Sequence, residues 1–410
     1  MKVLWFTNTS SNYSSAGRDY NGGGWISSLE DIISTGGDIQ LAVCFKQNNQ
    51  PRKVNTQNVC YYPVSDELTN SVYNKITRTF GSRERLINEN VKKYLEIIKD
   101  FSPDVINIFG TEEEYGLITP YTEVPVVIHL QGLINPCLNA FFPPGLSLFK
   151  YLLDDLKIFN IIKRWNDFSF FKQRYTQEIK VIKSNQHFIG RTQWDKRVIS
   201  LYNPTAKYFH VDEVLRSPFY CEFQRTFPSK LIISTTISSS SYKGFDIIVK
   251  CANLLKHEMN ISFEWCVYGN LNKKSIVKSL IENDIDDCVS IKGVVSAEDL
   301  KKAMLNSTVY VHTSYIDNSP NGVCEAQILG CPVIGQYVGG VPSLVNHGID
   351  GFLVPANDPF SMATYIKILY ENSKLNEQMG KYAHESAVRR HNKNSIKNDL
   401  LLIYKELTLK

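Results

Sequence analysis

The densest group of residues able to do chemistry lies between Thr308 and Val345. An apolar run, Thr308–His312, leads into the polar loop Thr313–Asn318 and then Ser319-Pro320, where a helical stretch opens that stops at Gly330. Serine is a favoured N-cap, and proline suits the first helical position, where its missing N–H costs nothing. The free N–H groups of such a helix start can hold hydroxyl or phosphate oxygens. Asp317 stands just before that start and Glu325 eight positions later. Carboxylates are good acceptors for the paired hydroxyls of a ribose or a hexose. The plainer alternative makes Asp317 a helix cap and Glu325 a solvated helix residue.

Three other places carry chemistry. Lys243 follows a strand and directly precedes a helical run, Asp246–Leu255; an ammonium there is placed to neutralise a diphosphate, or is simply a surface lysine. Gly22-Gly23-Gly24 lies between the apolar run Val3–Thr7 and a helix, and adjacent glycines allow close backbone approach to phosphate. The tract is neither a G-x-G-x-x-G fingerprint nor a P-loop, since no lysine follows. His129 ends the strand Val126–Leu130, and ligands of open parallel sheets bind at the carboxyl ends of strands. His187 and His312 lie in or beside strands and read as core.

Elements that would position these groups are legible as short apolar runs alternating with amphipathic helical stretches. Strands are predicted at Val3–Thr7, Ile39–Phe45, Val105–Phe109, Val126–Leu130 and Gln186–Ile189, then at Leu231–Ser234, Phe263–Tyr268, Val289–Ile291, Thr308–His312 and Cys331–Gly335. Continuous apolar strands separated by helices imply α/β architecture with parallel sheets covered on both faces. The pattern restarts after a polar, proline-bearing stretch, Arg216–Lys230. Two domains are therefore expected, 1–215 and 216–392. Met362–His391 reads as helical, and the last helix, within 393–410, is expected to pack back on the first domain.

The order of motifs carries a resemblance. Asp317-Asn318-Ser319-Pro320-Asn321-Gly322-Val323-Cys324-Glu325-Ala326 leads into Gly330-Cys331-Pro332-Val333-Ile334-Gly335, Gly339-Gly340-Val341-Pro342 and Gly348-Ile349-Asp350-Gly351-Phe352-Leu353-Val354. This resembles the donor-binding signature of family 4 (group 1) glycosyltransferases, which are retaining enzymes of the GT-B type. Lys243-Gly244-Phe245-Asp246 looks like that family's lysine-glycine element, and Gly22–Gly24 like its glycine-rich first loop. The resemblance implies two Rossmann-like domains whose parallel sheets face across a cleft, the first binding the acceptor and the second the donor. It implies transfer of a hexose or N-acetylhexosamine from a nucleotide-diphospho-sugar, with UDP or GDP as the nucleotide. The acceptor would be a saccharide or lipid-linked saccharide, as in bacterial surface polysaccharide assembly. No cofactor and no metal are implied.

Carried over residue by residue, the resemblance makes His129 and Asp317 catalytic. It makes Gly23, Gly24, Lys243, Asn321, Gly322, Val323 and Glu325 donor-binding, with Lys243 on phosphate and Glu325 on ribose. Two positions depart from the family pattern: Asp317 replaces the usual glutamate, and Ser238 stands where an arginine is common. Either donor binding is weaker, or another base such as Arg18 or Arg191 contributes the missing charge. Two rival readings are a nucleotide-sugar 2-epimerase and a non-catalytic nucleotide-sugar-binding protein.

Composition sets the outer bounds. The chain has 410 residues, 43% hydrophobic and 21% charged, which suits two folded cores and excludes long disorder. A net charge of +4 argues against a nucleic-acid partner. Nine cysteines form no CxxC pair, which fits a reducing, cytoplasmic setting. No apolar run approaches the ~20 residues of a membrane span. The stretch Lys150–Arg197, however, holds eleven Lys/Arg against five Asp/Glu among many aromatics, and is a candidate for peripheral contact with an anionic membrane face.

Overall fold

The computed structural model describes residues 1–13, 24–47, 52–67, 83–222, 225, 227–271, 280–281 and 287–409. They form two compact units: Met1–Asn135 with Asn166–Val214 and Asn392–Lys410, and Pro136–Trp165 with Leu215–His391.

The first unit is built on an eight-stranded sheet in the order β3-β4-β2-β1-β5-β6-β7-β8. Its strands are β1 (Lys2–Thr7), β2 (Gln40–Lys46), β3 (Val54–Asn55), β4 (Val59–Val64), β5 (Val105–Phe109), β6 (Val126–His129), β7 (His187–Gly190) and β8 (Lys207–His210). All pairings are parallel except β3 with β4. Val3, Leu4, Trp5 and Phe6 are wholly buried, because helices cover both faces of a central parallel strand and no polar alternation is needed. Three of these strands went unpredicted. Lys207–His210 is an edge strand with polar, part-exposed residues, as edges commonly are, so it lacks an apolar signature. Val54–Asn55 is only two residues long, and Val59–Val64 contains Pro63. The helix Lys393–Thr408 belongs to this unit; Ile396, Leu400, Ile403, Tyr404 and Leu407 form its buried stripe. The Tyr404 hydroxyl accepts from Trp5 Nε1 at 3.0 Å and from Asn107 Nδ2 at 2.7 Å, satisfying three buried polar groups at once.

The second unit holds a six-stranded, all-parallel sheet in the order β11-β10-β9-β12-β13-β14. Its strands are β9 (Leu231–Thr236), β10 (Phe263–Tyr268), β11 (Val289–Gly293), β12 (Val309–His312), β13 (Val333–Gln336) and β14 (Gly351–Val354). β14 was read as a motif and not as a strand. The region Met362–His391 is two helices, Pro359–Glu371 and Ser373–Arg390. Asn372 divides them, ending the first and capping the second by accepting from Leu375 N–H.

The helix after Asp317 also corrects the sequence expectation. It runs Asn321–Ile328, its N-cap is Pro320, and no side chain caps it. Ser319 is not the cap: Pro320 takes an extended ψ of 117°, so the turn starts one residue later, and Ser319 Oγ lies 3.9 Å from Cys324 Sγ.

In each sheet the strand order reverses beside the first strand of the unit, between β1 and β5 and between β9 and β12. Such a switch point separates loops that run to opposite faces, and ligands bind at the carboxyl ends of the strands there. Lys243 lies in the connection after β9, Asp317 in the loop after β12, and His129 at the end of β6, next to β5.

Candidate functional site

In the second unit the fold brings Lys243 and Asp317 together. Lys243 Nζ donates to Asp317 Oδ2 at 2.7 Å, and the two side chains remain 24% and 18% exposed. Thr313 Oγ1 donates to the Lys243 carbonyl at 3.0 Å, tying the two loops. Asp317 is held on all sides. Its Oδ1 accepts from Asn318 N–H at 3.1 Å and its Oδ2 from Ser314 Oγ at 3.3 Å, while its carbonyl accepts from Gly340 N–H at 2.9 Å. The double glycine has a steric reason. Gly339 sits at φ +51°, and a Cβ there would lie 1.9 Å from the Asp317 carbonyl oxygen. Asp317 therefore does not cap the helix; it anchors a lysine.

Charge coupling shifts all three ionisable groups of this cluster. Burial pushes the Asp317 carboxyl up, but the nearby Lys243 and His312 outweigh it and hold the group below the usual carboxylate range. Burial likewise lowers the Lys243 ammonium, and Asp317 more than restores it, so the net shift is upward. His312 Nε2 lies 3.5 Å from Asp317 Oδ2, without hydrogen-bond geometry. Burial lowers the His312 value to about 4, because Lys243 already compensates the carboxylate that would otherwise raise it. His312 is the buried residue the sequence indicated, but it borders the site instead of lying apart from it.

The helix start contributes less than expected at one position. Val323 N–H donates to the Pro320 carbonyl at 2.9 Å. Among the described residues, no hydrogen bond to the fold occupies the N–H groups of Asn321 and Gly322. Gly322 is required by close packing, since a Cβ would lie 2.1 Å from Tyr310 Oη and 2.3 Å from Thr236 Oγ1.

Glu325 is not on a solvated face. It is 2% exposed, and Arg216 grips it with both arms of the fork, Nε to Oε1 at 2.7 Å and Nη2 to Oε2 at 2.8 Å. Arg216 went unremarked as a site residue. Its only sequence signal is a position at the head of the inter-domain stretch, 109 residues from its partner. Ser238, standing where the family's arginine is common, is exposed.

In the first unit the candidates sit in a different environment. His129 is 1% exposed, stacked on Phe109 at 5.2 Å and beside Trp25 at 5.1 Å. Neither ring nitrogen has a hydrogen-bond partner. Burial, then the charge of Arg191, hold the imidazole well below its usual value against the opposing pull of Glu213, so it is neutral. The Arg191 guanidinium lies over the Trp25 ring at 4.2 Å, with Nε 3.5 Å from Glu213 Oε2. A capping box fixes it: Thr192 caps the helix Gln193–Tyr202, and Asp195 accepts from the N–H groups of Thr192 and Arg191. Gly24 opens the helix Gly24–Ile33; Gly22, Gly23 and Arg18 lie outside the described residues.

Two further residues of the first unit were missed. Glu178 accepts from Thr111 Oγ1, Ile134 N–H and Asn135 N–H, and so pins the segment that follows His129. Glu112 follows β5, where Asn8 Nδ2 donates to its Oε1 at 3.0 Å and its Oε2 has no partner. Burial raises its carboxyl to about 7, a value at which it exchanges protons near neutrality. Both lie in stretches that read as ordinary charged loop and helix.

Residues 223–386 match the family model described as Glycosyl transferases group 1. The amylovoran biosynthesis glycosyltransferase AmsK of Erwinia amylovora is 22% identical over 182 residues, 42% of this chain and 44% of that protein. The chain spans less than half the length of the curated relatives it matches. Sucrose-phosphate synthase from Thermosynechococcus elongatus superposes with a TM-score of 0.74 at 13% identity, covering 99% of this chain and 98% of that one. Anabaena Alr3699/HepE in complex with UDP-glucose gives 0.66 at 13% identity, covering 99% and 100%. The fold is thus that of GT-B structures, and residues 223–386 are similar to the group 1 glycosyltransferases.

Proposed function

We propose that this chain is a retaining glycosyltransferase of family 4 that takes a hexose or N-acetylhexosamine from a nucleotide-diphospho-sugar. The observation that carries the reading is the Lys243–Asp317 pair beside the unoccupied N–H groups of Asn321 and Gly322, at the switch point of the sheet within the matched residues. An ammonium and a helix start at one place suit a diphosphate, and a fixed carboxylate suits sugar hydroxyls. When donor arrives, its phosphate competes with Asp317 for Lys243, which frees the carboxylate to accept from the sugar. As the glycosidic bond to phosphate breaks, Lys243 and the helix N–H groups stabilise the growing negative charge. These groups do the work a metal would otherwise do, and no cofactor takes part.

Glu325, held rigid by Arg216, is the carboxylate this reading assigns to the ribose, through the lone pairs that the guanidinium leaves open. His129 is a neutral imidazole able to donate or accept, which suits the role towards a sugar that the family resemblance implies for it. The acceptor attacks on the face the phosphate leaves, and a donor phosphate oxygen takes its proton. UDP is the favoured nucleotide, supported by the UDP-glucose complex of HepE, and polysaccharide assembly is supported by AmsK. A cytoplasmic enzyme meeting the membrane peripherally, through part of 150–197, fits a lipid-linked saccharide acceptor.

The test is a thermal-shift screen with UDP-, GDP-, ADP- and dTDP-sugars, followed by turnover with the best ligand. A raised melting temperature and nucleotide diphosphate release are expected. No shift with any nucleotide sugar would overturn the reading. An altered sugar on intact nucleotide would replace it with an epimerase.

A further inference from the structure

We infer that the helical hairpin formed by Leu148–Leu153 and the first turns of Ile158–Ser184 docks on a lipid surface bearing anionic headgroups. It extends the peripheral location proposed above, but its evidence is separate. Phe149, Leu156, Ile158, Phe159, Ile162 and Trp165 are all exposed within eighteen residues, Phe149 at 72%, Leu156 at 78% and Phe159 at 82%. Single exposed apolar side chains are ordinary on a soluble surface; six so close together are not. The helix Leu148–Leu153 has no buried residue at all.

Charge on this hairpin argues for lipid over a second protein. Lys150, Lys157 and Lys163 are exposed among the apolar side chains, and no carboxylate pairs with them among the described residues. The two carboxylates of the hairpin are turned to internal use. Asp154 accepts from Arg164 Nη2 at 3.0 Å, and Asp155 accepts from Lys157 N–H at 3.1 Å and Asn160 Nδ2 at 2.7 Å. Arg164 also donates to the Tyr151 carbonyl, bracing one helix on the other. A braced apolar surface carrying exposed lysines that no carboxylate among the described residues neutralises by a salt bridge suits the headgroup boundary of an anionic bilayer. An ordinary protein interface core is depleted in such lysines.

Other groups of the basic, aromatic stretch are engaged within the fold, although Lys172, Lys180, Lys183, Lys196 and Arg197 are exposed. Arg174 donates to the Glu112 carbonyl at 2.9 Å and pairs with Glu113. Phe170 faces the guanidinium groups of Arg83 and Arg174, and Arg191 pairs with Glu213 over Trp25. The exposed large apolar side chains of the stretch are confined to 148–165, so the docking element is this hairpin and not the whole of 150–197.

Flotation of the full chain with vesicles of phosphatidylcholine, alone or mixed with phosphatidylglycerol, tests this. Binding to the anionic vesicles is expected to exceed that to neutral ones by about fivefold or more and to weaken at high salt. The double variant Phe159→Ser/Trp165→Ser should lose about tenfold in binding, and Lys157→Glu/Lys163→Glu should lose the anionic preference. All four side chains are exposed, so melting temperature and nucleotide-sugar binding should be unchanged in both variants. Absence of binding to anionic vesicles, or equal binding by Phe159→Ser/Trp165→Ser, overturns the inference. A concentration-dependent dimer that this variant abolishes overturns it too, in favour of a second copy as occupant. Because the readout is binding to lipid, failure here leaves donor turnover untouched, and failure of turnover leaves vesicle binding untouched.

Discussion

Two ion pairs stand beyond the carboxyl ends of strands, one after β7 and β8 of the first unit and one at the switch point of the second, and they differ in kind. Arg191–Glu213, in the first unit, has side chains only 3% and 1% exposed and lies over an indole. Lys243–Asp317, in the second, keeps 24% and 18% of its side-chain surface. A pair shut away from water resists separation, since parting it leaves a charge without solvent or partner. A pair that keeps part of its surface in water parts at lower cost and can exchange partners. The first pair is thus suited to holding a wall, the second to meeting an anionic ligand.

The comparison breaks most readily at Arg191. Arg191→Ala removes a buried positive charge beside the buried Glu213 and should cost about 3–5 kcal/mol of stability, read by denaturant unfolding. A loss under ~1 kcal/mol would remove the distinction between the two pairs. Lys243→Ala should differ: a smaller loss of stability than Arg191→Ala, but turnover of the nucleotide sugar reduced about 100-fold or more. Turnover within a factor of about two of the unaltered chain would show that Lys243 does not meet the leaving phosphate.

A third expectation concerns pH. The His312 value of about 4 lies below the ordinary 6.5, so between these limits the unfolded chain binds more protons than the folded one. The contribution of His312 to stability is therefore complete above pH 6.5 and is lost as pH falls towards 4, by roughly 1–3 kcal/mol. His312→Gln should flatten that part of the pH–stability curve, measured by melting at stepped pH; an unchanged slope would assign it to other groups. The smallest effect is expected at Asp317→Glu. It adds one methylene to a carboxylate already fixed by Ser314 and Asn318, and should alter turnover by about tenfold or less in either direction. A change as large as that of Lys243→Ala would mean that the reach of the acid, and not the lysine, governs the site.

Legibility in the sequence followed the spacing of the residues concerned. Asp317, the helix start, Glu325 and the Gly339-Gly340 turn fall within one short segment, so their order could be matched to a pattern. Buried strands such as Val105–Phe109 and Phe263–Tyr268 were legible at both ends because covered parallel strands are predominantly apolar, with single polar interruptions at Asn107 and Glu264. Arg216 and Glu178 escaped notice because each acts on a partner far along the chain, and a charged residue in a helix or linker looks the same whether it is solvated or buried. The cap at Ser319 was misplaced because residue type indicates only a preference, and the extended ψ of Pro320 moved the turn by one residue.

What the sequence determined by itself is the class of architecture, two parallel α/β units, and one segment whose order of residues resembles a glycosyltransferase signature. Both are local properties: strand burial is written in runs of four to six residues, and the motif in consecutive positions. Only the tertiary structure decided which charges meet. It joined Lys243 to Asp317 across 74 positions and Arg216 to Glu325 across 109, left His312 neutral beside a carboxylate, and turned six apolar side chains of one hairpin outward. These outcomes depend on desolvation and on distances between loops carried by different strands, and neither quantity exists until the chain has folded.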